Sequence, residues 1–404
     1  MSQHLPSRPS PAAEAAARAL LEKLAVGQTL EDRIRINTQA YLDALPSNVR
    51  RAAWAAAVPH WFDADVLAAL LDEPSGKTLY QQLQALPFVE TYAEHGHNVH
   101  ELTRRVMLDD WWRTRREEYL LLSTRAADYF AARPEPEWQI EATYHRLVAN
   151  PDAGADAVWN LGADWNNTFQ YTLIEALVRA GVEHVEAGRV EGRAKGWILY
   201  CKGRLEKQSY SNIQALETLE QAIQAAEDDR QLKANVLKAQ GDVLAFLDRR
   251  DEALTRYEEA LGLFRAVGDR LGEANVLKAQ GDVLAFQKQN DEALGKYEAA
   301  LALFKQVGAR LGEANALQSR ADVLDAQGQT EQASAGYEQA MKLYQAIGDE
   351  YSVARALYYL GRLHLRHDDT SQARVAFERS IAIFSARGLP DIAAMVQKEL
   401  NALS

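Results

Sequence analysis

The chain has 404 residues, 47% hydrophobic and 25% charged, with a net charge of −12 and one cysteine, Cys201. That much apolar material excludes disorder throughout, and the lone cysteine excludes an intrachain disulfide framework or a multi-cysteine zinc site and points to a reducing, cytoplasmic setting. The acidic balance argues against general nucleic-acid binding, and no apolar stretch approaches the roughly 20 residues that span a bilayer.

In chain order, residues 1–11 read as a disordered tail whose prolines and polar residues stand where a signal peptide would be apolar. Residues 12–45 read as N-terminal helices, Ala12 to Leu24 and Asp32 to Leu45, the second closed by Pro46. Residues 46–115 give three short helical patterns, Val49 to Ala57, Ala64 to Leu71 and Lys77 to Leu86. Phe88 to Tyr92 and Asn98 to Glu101 then flank the polar turn Glu94-His95-Gly96. Three helices before a two-stranded wing is winged-helix order. Residues 116–196 follow as a helical connector.

The stretch from Leu45-Pro46, through His60-Trp61-Phe62-Asp63, to Val99-His100-Glu101-Leu102 resembles the winged-helix segment that follows the nucleotide-binding domain of bacterial STAND (NB-ARC-like) NTPases. Ala126-Ala127-Asp128-Tyr129 and Glu141-Ala142-Thr143-Tyr144-His145 resemble the connector that leads into the tetratricopeptide sensors of such proteins. The resemblance places His100 where that family has a histidine touching the nucleotide's β-phosphate, with Glu101 in place of the usual Asp. Since the rest of the NTPase core is missing, it implies a structural relic.

The C-terminal half is repetitive. Ala234 to Phe246 reads ANVLKAQGDVLAF, and the string returns from Ala274 to Phe286, 40 residues on. Leu237, Gly241, Leu244, Ala253, Tyr257 and Ala260 recur as Leu277, Gly281, Leu284, Ala293, Tyr297 and Ala300. They recur again as Leu317, Ala321, Leu324, Ala333, Tyr337 and Ala340, then more loosely from Leu357 to Ser380. An earlier unit keeps the spacing from Leu199 to Ala222. Each unit holds two apolar stretches of helical period joined by a polar break, and Gly268, Gly308 and Gly348 stand where second helices end. This predicts five helix–turn–helix units over residues 197–389 and a capping helix in 390–404, with Ile392, Met395, Val396 and Leu400 on one face. The pattern resembles the tetratricopeptide repeat (TPR) family in its longer form, departing from it at Gln240, Gln280 and Ser319, where the family has Leu. The fold expected is all-α, a right-handed α-solenoid (TPR superhelix) preceded by a winged-helix-like module with a small β-hairpin.

Reactive chemistry finds little support. Ser75-Gly76-Lys77-Thr78 ends like a phosphate-binding loop, but Leu71 stands where the loop needs glycine, and Val66 to Leu71 has a helical pattern where a strand is required. His95, His97 and His100 lack the carboxylates or thiolates that would complete a tetrahedral metal set. No GxSxG occurs. The expectation is a non-enzymatic protein without cofactor or metal. A DNA-reading helix at Lys77 to Leu86 would offer Lys77, Gln81, Gln82 and Gln84 but no arginine. Arg104, Arg105, Arg113, Arg115 and Arg116, interleaved with Asp109, Asp110, Glu117 and Glu118, read as a salt-bridged amphipathic helix, with Trp111 and Trp112 as packing anchors.

In a TPR superhelix the first helix of each unit lines the concave face. Counting from the packing positions gives a groove stripe of Asn235, Lys238, Asp242 and Phe246, then Asn275, Lys278, Asp282 and Phe286. Asn315, Gln318, Asp322 and Asp325 follow, then Arg355, Tyr358, Arg362 and Arg366. Asparagines one repeat apart can hold the amides of an extended peptide, lysines a carboxylate, and the phenylalanines apolar side chains. The expected function is a protein-interaction adaptor or sensor, binding a protein segment in the groove and a second protein through the N-terminal module. Two alternatives are a winged-helix transcription regulator with a TPR effector domain, and a regulator or substrate of a caspase-like (CHAT) protease in a bacterial defence or cell-death system.

Overall fold

The computed structural model describes residues 29–74 and 76–403, and divides the chain into two compact units, Met1–Leu205 and Glu206–Ser404. The expected tail and the helix Ala12 to Leu24 lie outside the described residues. Among the described residues the chain forms twenty helices and one two-stranded hairpin, an all-α fold ending in an α-solenoid.

The first unit opens with α1 (Leu30–Asp43), started by a capping box in which Thr29 and Asp32 satisfy each other's backbone N–H groups. Next come α2 (Ser47–Ala57), α3 (Ala64–Leu71) and α4 (Gly76–Leu83). Asp63 caps α3 by accepting from the N–H groups of Asp65 and Val66. Helix α4 stops three residues before the predicted Leu86, because Leu86 precedes Pro87 and the proline ring disfavours helical backbone there. Gly76 is where α3 and α4 approach: a Cβ on it would fall 2.7 Å from the Ala64 carbonyl oxygen. The glycine of the apparent phosphate loop therefore serves packing.

Strands β1 (Val89–Tyr92) and β2 (Gly96–Val99) pair antiparallel, Val89 facing Val99 and Tyr92 facing Gly96. The second strand begins earlier than predicted because the turn is tight, with Glu94 and Gly96 both at positive φ. Glu101 already belongs to α5 (Glu101–Thr114), which breaks at Arg115 before α6 (Arg116–Ala131). The unit continues with α7 (Pro136–Ala149), α8 (Pro151–Asn167), α9 (Tyr171–Glu186) and α10 (Gly192–Gln208), the last running across the boundary between the units. Its core holds Phe62, Leu67, Leu70, Tyr119, Phe130 and Tyr144, all fully or almost fully buried.

The arginine-rich stretch is salt-bridged, as its charge pattern suggests, but it spans two helices rather than one and pairs mostly with partners outside itself. Arg104 is buried and bonds Glu183, Arg105 pairs with Glu31, and Asp109 pairs with Arg189 at 2.5 Å. These pairs tie separate elements together. The break at Arg115 divides the charges between two helices, so i,i+4 pairing along one helix cannot form across it.

The second unit contains α11 (Asn212–Ala225) and four regular pairs: α12 (Arg230–Phe246) with α13 (Arg250–Val267), α14 (Arg270–Phe286) with α15 (Asn290–Val307), α16 (Arg310–Ala326) with α17 (Thr330–Ala346), and α18 (Glu350–Arg366) with α19 (Thr370–Ala386). Helix α20 (Pro390–Asn401) follows. Aspartates start several of these helices: Asp229, Asp269, Asp349 and Asp369 each accept the backbone N–H three residues on. Gly268 and Gly308 end α13 and α15 in the left-handed conformation.

Within a pair the helices meet at a glycine. A methyl on Gly241 would stand 2.5 Å from the Tyr257 ring, and one on Gly281 2.6 Å from Tyr297. Between pairs the departures from the family pattern have a structural cause: Gln240 donates to Glu220 at 3.2 Å and Gln280 to Glu258 at 3.0 Å, amide bridges replacing an apolar contact. The third repeat's residue at the same offset is Arg320, one position beyond Ser319.

Candidate functional site

The first helices of successive pairs bring the polar stripe together around a cleft of about 380 Å³. Lys207, Lys238, Asp242, Asn275, Lys278, Asp282 and Asn315 line it, with Tyr257 and Phe304. A four-residue step along a helix returns to nearly the same face, so Lys238 reaches Asp242 and Lys278 reaches Asp282, both at 2.7 Å. The second helix of each pair completes the arrangement: the Tyr257 hydroxyl donates to Asp242 and Tyr297 to Asp282, both at 2.9 Å. The first two regular repeats thus each present a Lys–Asp–Tyr set in which a lysine is paired with an aspartate.

In the third repeat the set loses its cation. Gln318 replaces the lysine and is buried, while Tyr337 still donates to Asp322. The carboxylates respond in opposite directions. Burial works against ionisation of Asp242, but Lys238 and Lys207 outweigh it and hold its carboxyl below the usual range. For Asp322 burial prevails over the Tyr337 hydroxyl and Arg355 and pushes the carboxyl up to about 6.

The three asparagines differ. Asn235 donates to the Gln231 carbonyl of its own helix at 2.9 Å, and Asn315 accepts from the Tyr344 hydroxyl at 2.7 Å. Asn275 is exposed, and its amide has no partner among the described residues. Phe246 and Phe286 do not line the cleft. They are 60% and 70% exposed where their helices end, Phe246 beside Tyr210 and Phe286 under the Arg250 guanidinium at 3.8 Å. In the fourth repeat Arg355 lies 3.5 Å from the Tyr344 hydroxyl, Arg362 lies over the Tyr358 ring, and Arg366 pairs with Asp325 of the third.

The first unit contains a buried charge network that no sequence motif announces. His60 places Nδ1 2.8 Å from Glu141 and Nε2 3.1 Å from Glu183. Arg104 donates to both oxygens of Glu183, to the carbonyls of Val58 and Pro59, and to the Tyr144 hydroxyl. With a carboxylate at each ring nitrogen, His60 satisfies both only as imidazolium. Burial and Arg104 oppose that charge, yet the two glutamates outweigh them and raise its pKa. The network joins the loop after α2 to α5, α7 and α9 across as many as 123 positions of sequence, with no local spacing that could reveal it.

The three hairpin histidines have separate partners: His95 stacks on Trp61, His97 meets the Tyr80 hydroxyl at 2.7 Å, and His100 faces Glu90 at 3.9 Å. Among the described residues no group of three or more His, Cys, Asp or Glu is placed to hold a metal ion, and no helix is long and apolar enough to cross a membrane.

Comparison with protein families matches residues 232–306, 272–346 and 312–386 to the tetratricopeptide repeat, so this part of the chain is built of tetratricopeptide repeats. No curated protein sequence matches the chain. Among solved structures, the chain is similar to BtubC from P. vanneervenii at 16% identity and a TM-score of 0.44, over 61% of this chain and 92% of that one. It is similar to a signal transduction ATPase with numerous domains (STAND) carrying a tetratricopeptide repeat sensor, from Pyrococcus horikoshii, at 14% identity and a TM-score of 0.46, over 97% of this chain and 69% of that one. YrrB, described as a TPR protein with an unusual peptide-binding site, aligns at 18% identity and a TM-score of 0.34, over 50% of this chain and 91% of its own.

Proposed function

We propose that the chain is a non-enzymatic interaction module whose repeat groove holds an extended segment of a partner protein. Tetratricopeptide repeats are in general protein-interaction scaffolds. The observation that carries the reading is the cleft in which Asn275 and Asn315, one repeat apart, stand beside two Lys–Asp–Tyr sets. Because Lys278 is paired with Asp282, and Lys238 and Lys207 share Asp242, the wall carries only a small excess of positive charge, which suits a peptide backbone better than a highly charged ligand. An extended strand presents donors and acceptors that an asparagine amide can both accept from and donate to.

Asn275 is the residue expected to matter most, since its amide is unengaged. On a peptide array, Asn275→Ala should weaken bound sequences by about 3- to 10-fold, the worth of one or two hydrogen bonds. Asn235→Ala should do much less, its side chain being held by its own helix. A folded triple variant, Asn235→Ala with Asn275→Ala and Asn315→Ala, that binds the same peptides with unchanged affinity removes the asparagines from the mechanism.

A further inference from the structure

The first unit has a second cleft, of about 370 Å³, between α2, the end of α3, α5 and α6, remote in composition from the repeat groove. Four arginines and a single carboxylate, Glu118, line it in a protein of net charge −12. Three of the arginines are engaged. Arg50 donates to the carbonyls of Asp43 and Leu45 at the end of α1. Arg51 holds the Leu71 carbonyl and Glu73, and Arg125 holds the Leu70 carbonyl and Asp72. These close the C-terminal ends of α1 and α3, where carbonyls lack helical partners.

Arg115 is different. Its guanidinium lies over the Trp54 ring at 4.7 Å and the Trp111 ring at 5.4 Å, and its nearest carboxylate, Glu118, is 3.7 Å away, beyond hydrogen-bond distance. None of its side-chain N–H groups has an acceptor among the described residues. A guanidinium held over two indoles is a preorganised donor for an oxyanion, since the ring contacts hold its charge in place without using its N–H groups. An independent observation points the same way: Trp111, 2% exposed, has an indole N–H without an acceptor. A buried donor left unmet is unfavourable, and Trp111 is one of the residues that line the cleft. Beside these polar groups stands the apolar side chain of Leu121, 53% exposed.

We propose that this cleft binds a small amphiphilic anion, with a phosphate or carboxylate head on Arg115 and the Trp111 N–H and an apolar or aromatic body against Leu121. The volume lies within the range of about 300–1,000 Å³ typical of small-molecule sites. The cleft is separate from the peptide groove, so the two readings stand or fall independently.

The test uses the full chain labelled with 5-fluorotryptophan, its eight tryptophan signals assigned by single substitutions to phenylalanine. Phenyl phosphate, phenylacetate and phenol are titrated separately, each to about 10 mM, a limit that would reveal any site with millimolar affinity. At least one of the two anions should shift the Trp111 signal saturably and bind at least about tenfold tighter than phenol, the tighter anion identifying the head group. Arg115→Gln should weaken that anion about tenfold and leave phenol unchanged. Should Arg115→Gln fail to fold, Arg115→Lys replaces it, keeping the charge without the planar fork, and is expected to bind several-fold more weakly. An unmoved Trp111 signal, phenol binding as tightly as the anions, or unchanged binding by the folded Arg115 variant overturns the proposal.

Discussion

Asp322 shows how one side chain can break a repeated electrostatic pattern. Asp242, with a lysine four residues before it, keeps its charge readily; Asp322, with Gln318 in that place, has its carboxyl raised to about 6. A carboxyl whose folded pKa lies above its ordinary 3.8 binds protons more tightly folded than unfolded, so this group lowers stability as pH rises from about 4 through 6. Gln318→Lys should restore the pair. The Asp322 carboxyl should then titrate near the ordinary range in a carbon-detected NMR titration, and the thermal midpoint at pH 8 should rise by about a degree, as expected of a partly exposed i,i+4 pair. Lys238 and Lys278 are 31% and 28% exposed in the same position, so the added ammonium can reach water. If wild-type Asp322 already titrates near 4, or the variant shows no downward shift, the pattern has been misread.

At the scale of the helix pair, the third repeat carries a linked exchange. Gly241, Gly281 and Gly361 each face an aromatic ring, and the third repeat has Ala321 instead. Its methyl is accommodated because Gly336 lies opposite: a Cβ there would come within 3.0 Å of the Ala321 Cβ. The first regular repeat has Arg256 where the third has Gly336. Gly241→Ala alone should therefore destabilise by about 1–2 kcal/mol, overpacking against Tyr257 exceeding the gain in helix propensity. Combined with Arg256→Gly, which alone costs about 1 kcal/mol of propensity, the loss should be less than the sum of the two. Denaturant melts of the four proteins measure that coupling, and strict additivity refutes it. The positions Gly241 and Tyr257 were legible because they recur at a fixed offset. The His60–Glu141–Glu183–Arg104 network was not, since nothing local marks a charge whose partner lies several helices away. The arginine edge of the second cleft was hidden for a related reason. Charge order along residues 104–118 suggests pairs within one helix, whereas the chain breaks at Arg115 and turns that residue onto two tryptophans.

At the largest scale the second unit is a chain of interchangeable neighbours. The identical strings from Ala234 and Ala274 give α12 and α14 the same packing faces, and their amides make the same bridge, Gln240 to Glu220 and Gln280 to Glu258. In a solenoid stability is approximately a sum of repeat and nearest-neighbour terms, so a whole repeat can leave without creating an unmatched interface. Deleting residues 234–273 joins Lys233 to Ala274 and hands α11 the face it already packs against. The shortened chain should remain folded, with a cooperative melt, a helical signal lower by about a tenth and a modestly lower midpoint. Deleting only residues 254–273, half a repeat, removes most of a second helix and leaves first helices facing one another. That protein should lose cooperativity or aggregate. Circular dichroism and thermal melts of the two deletions separate a periodic array from a single globular core, in which both would be damaging; equal disruption by both would rule out independent, exchangeable repeats.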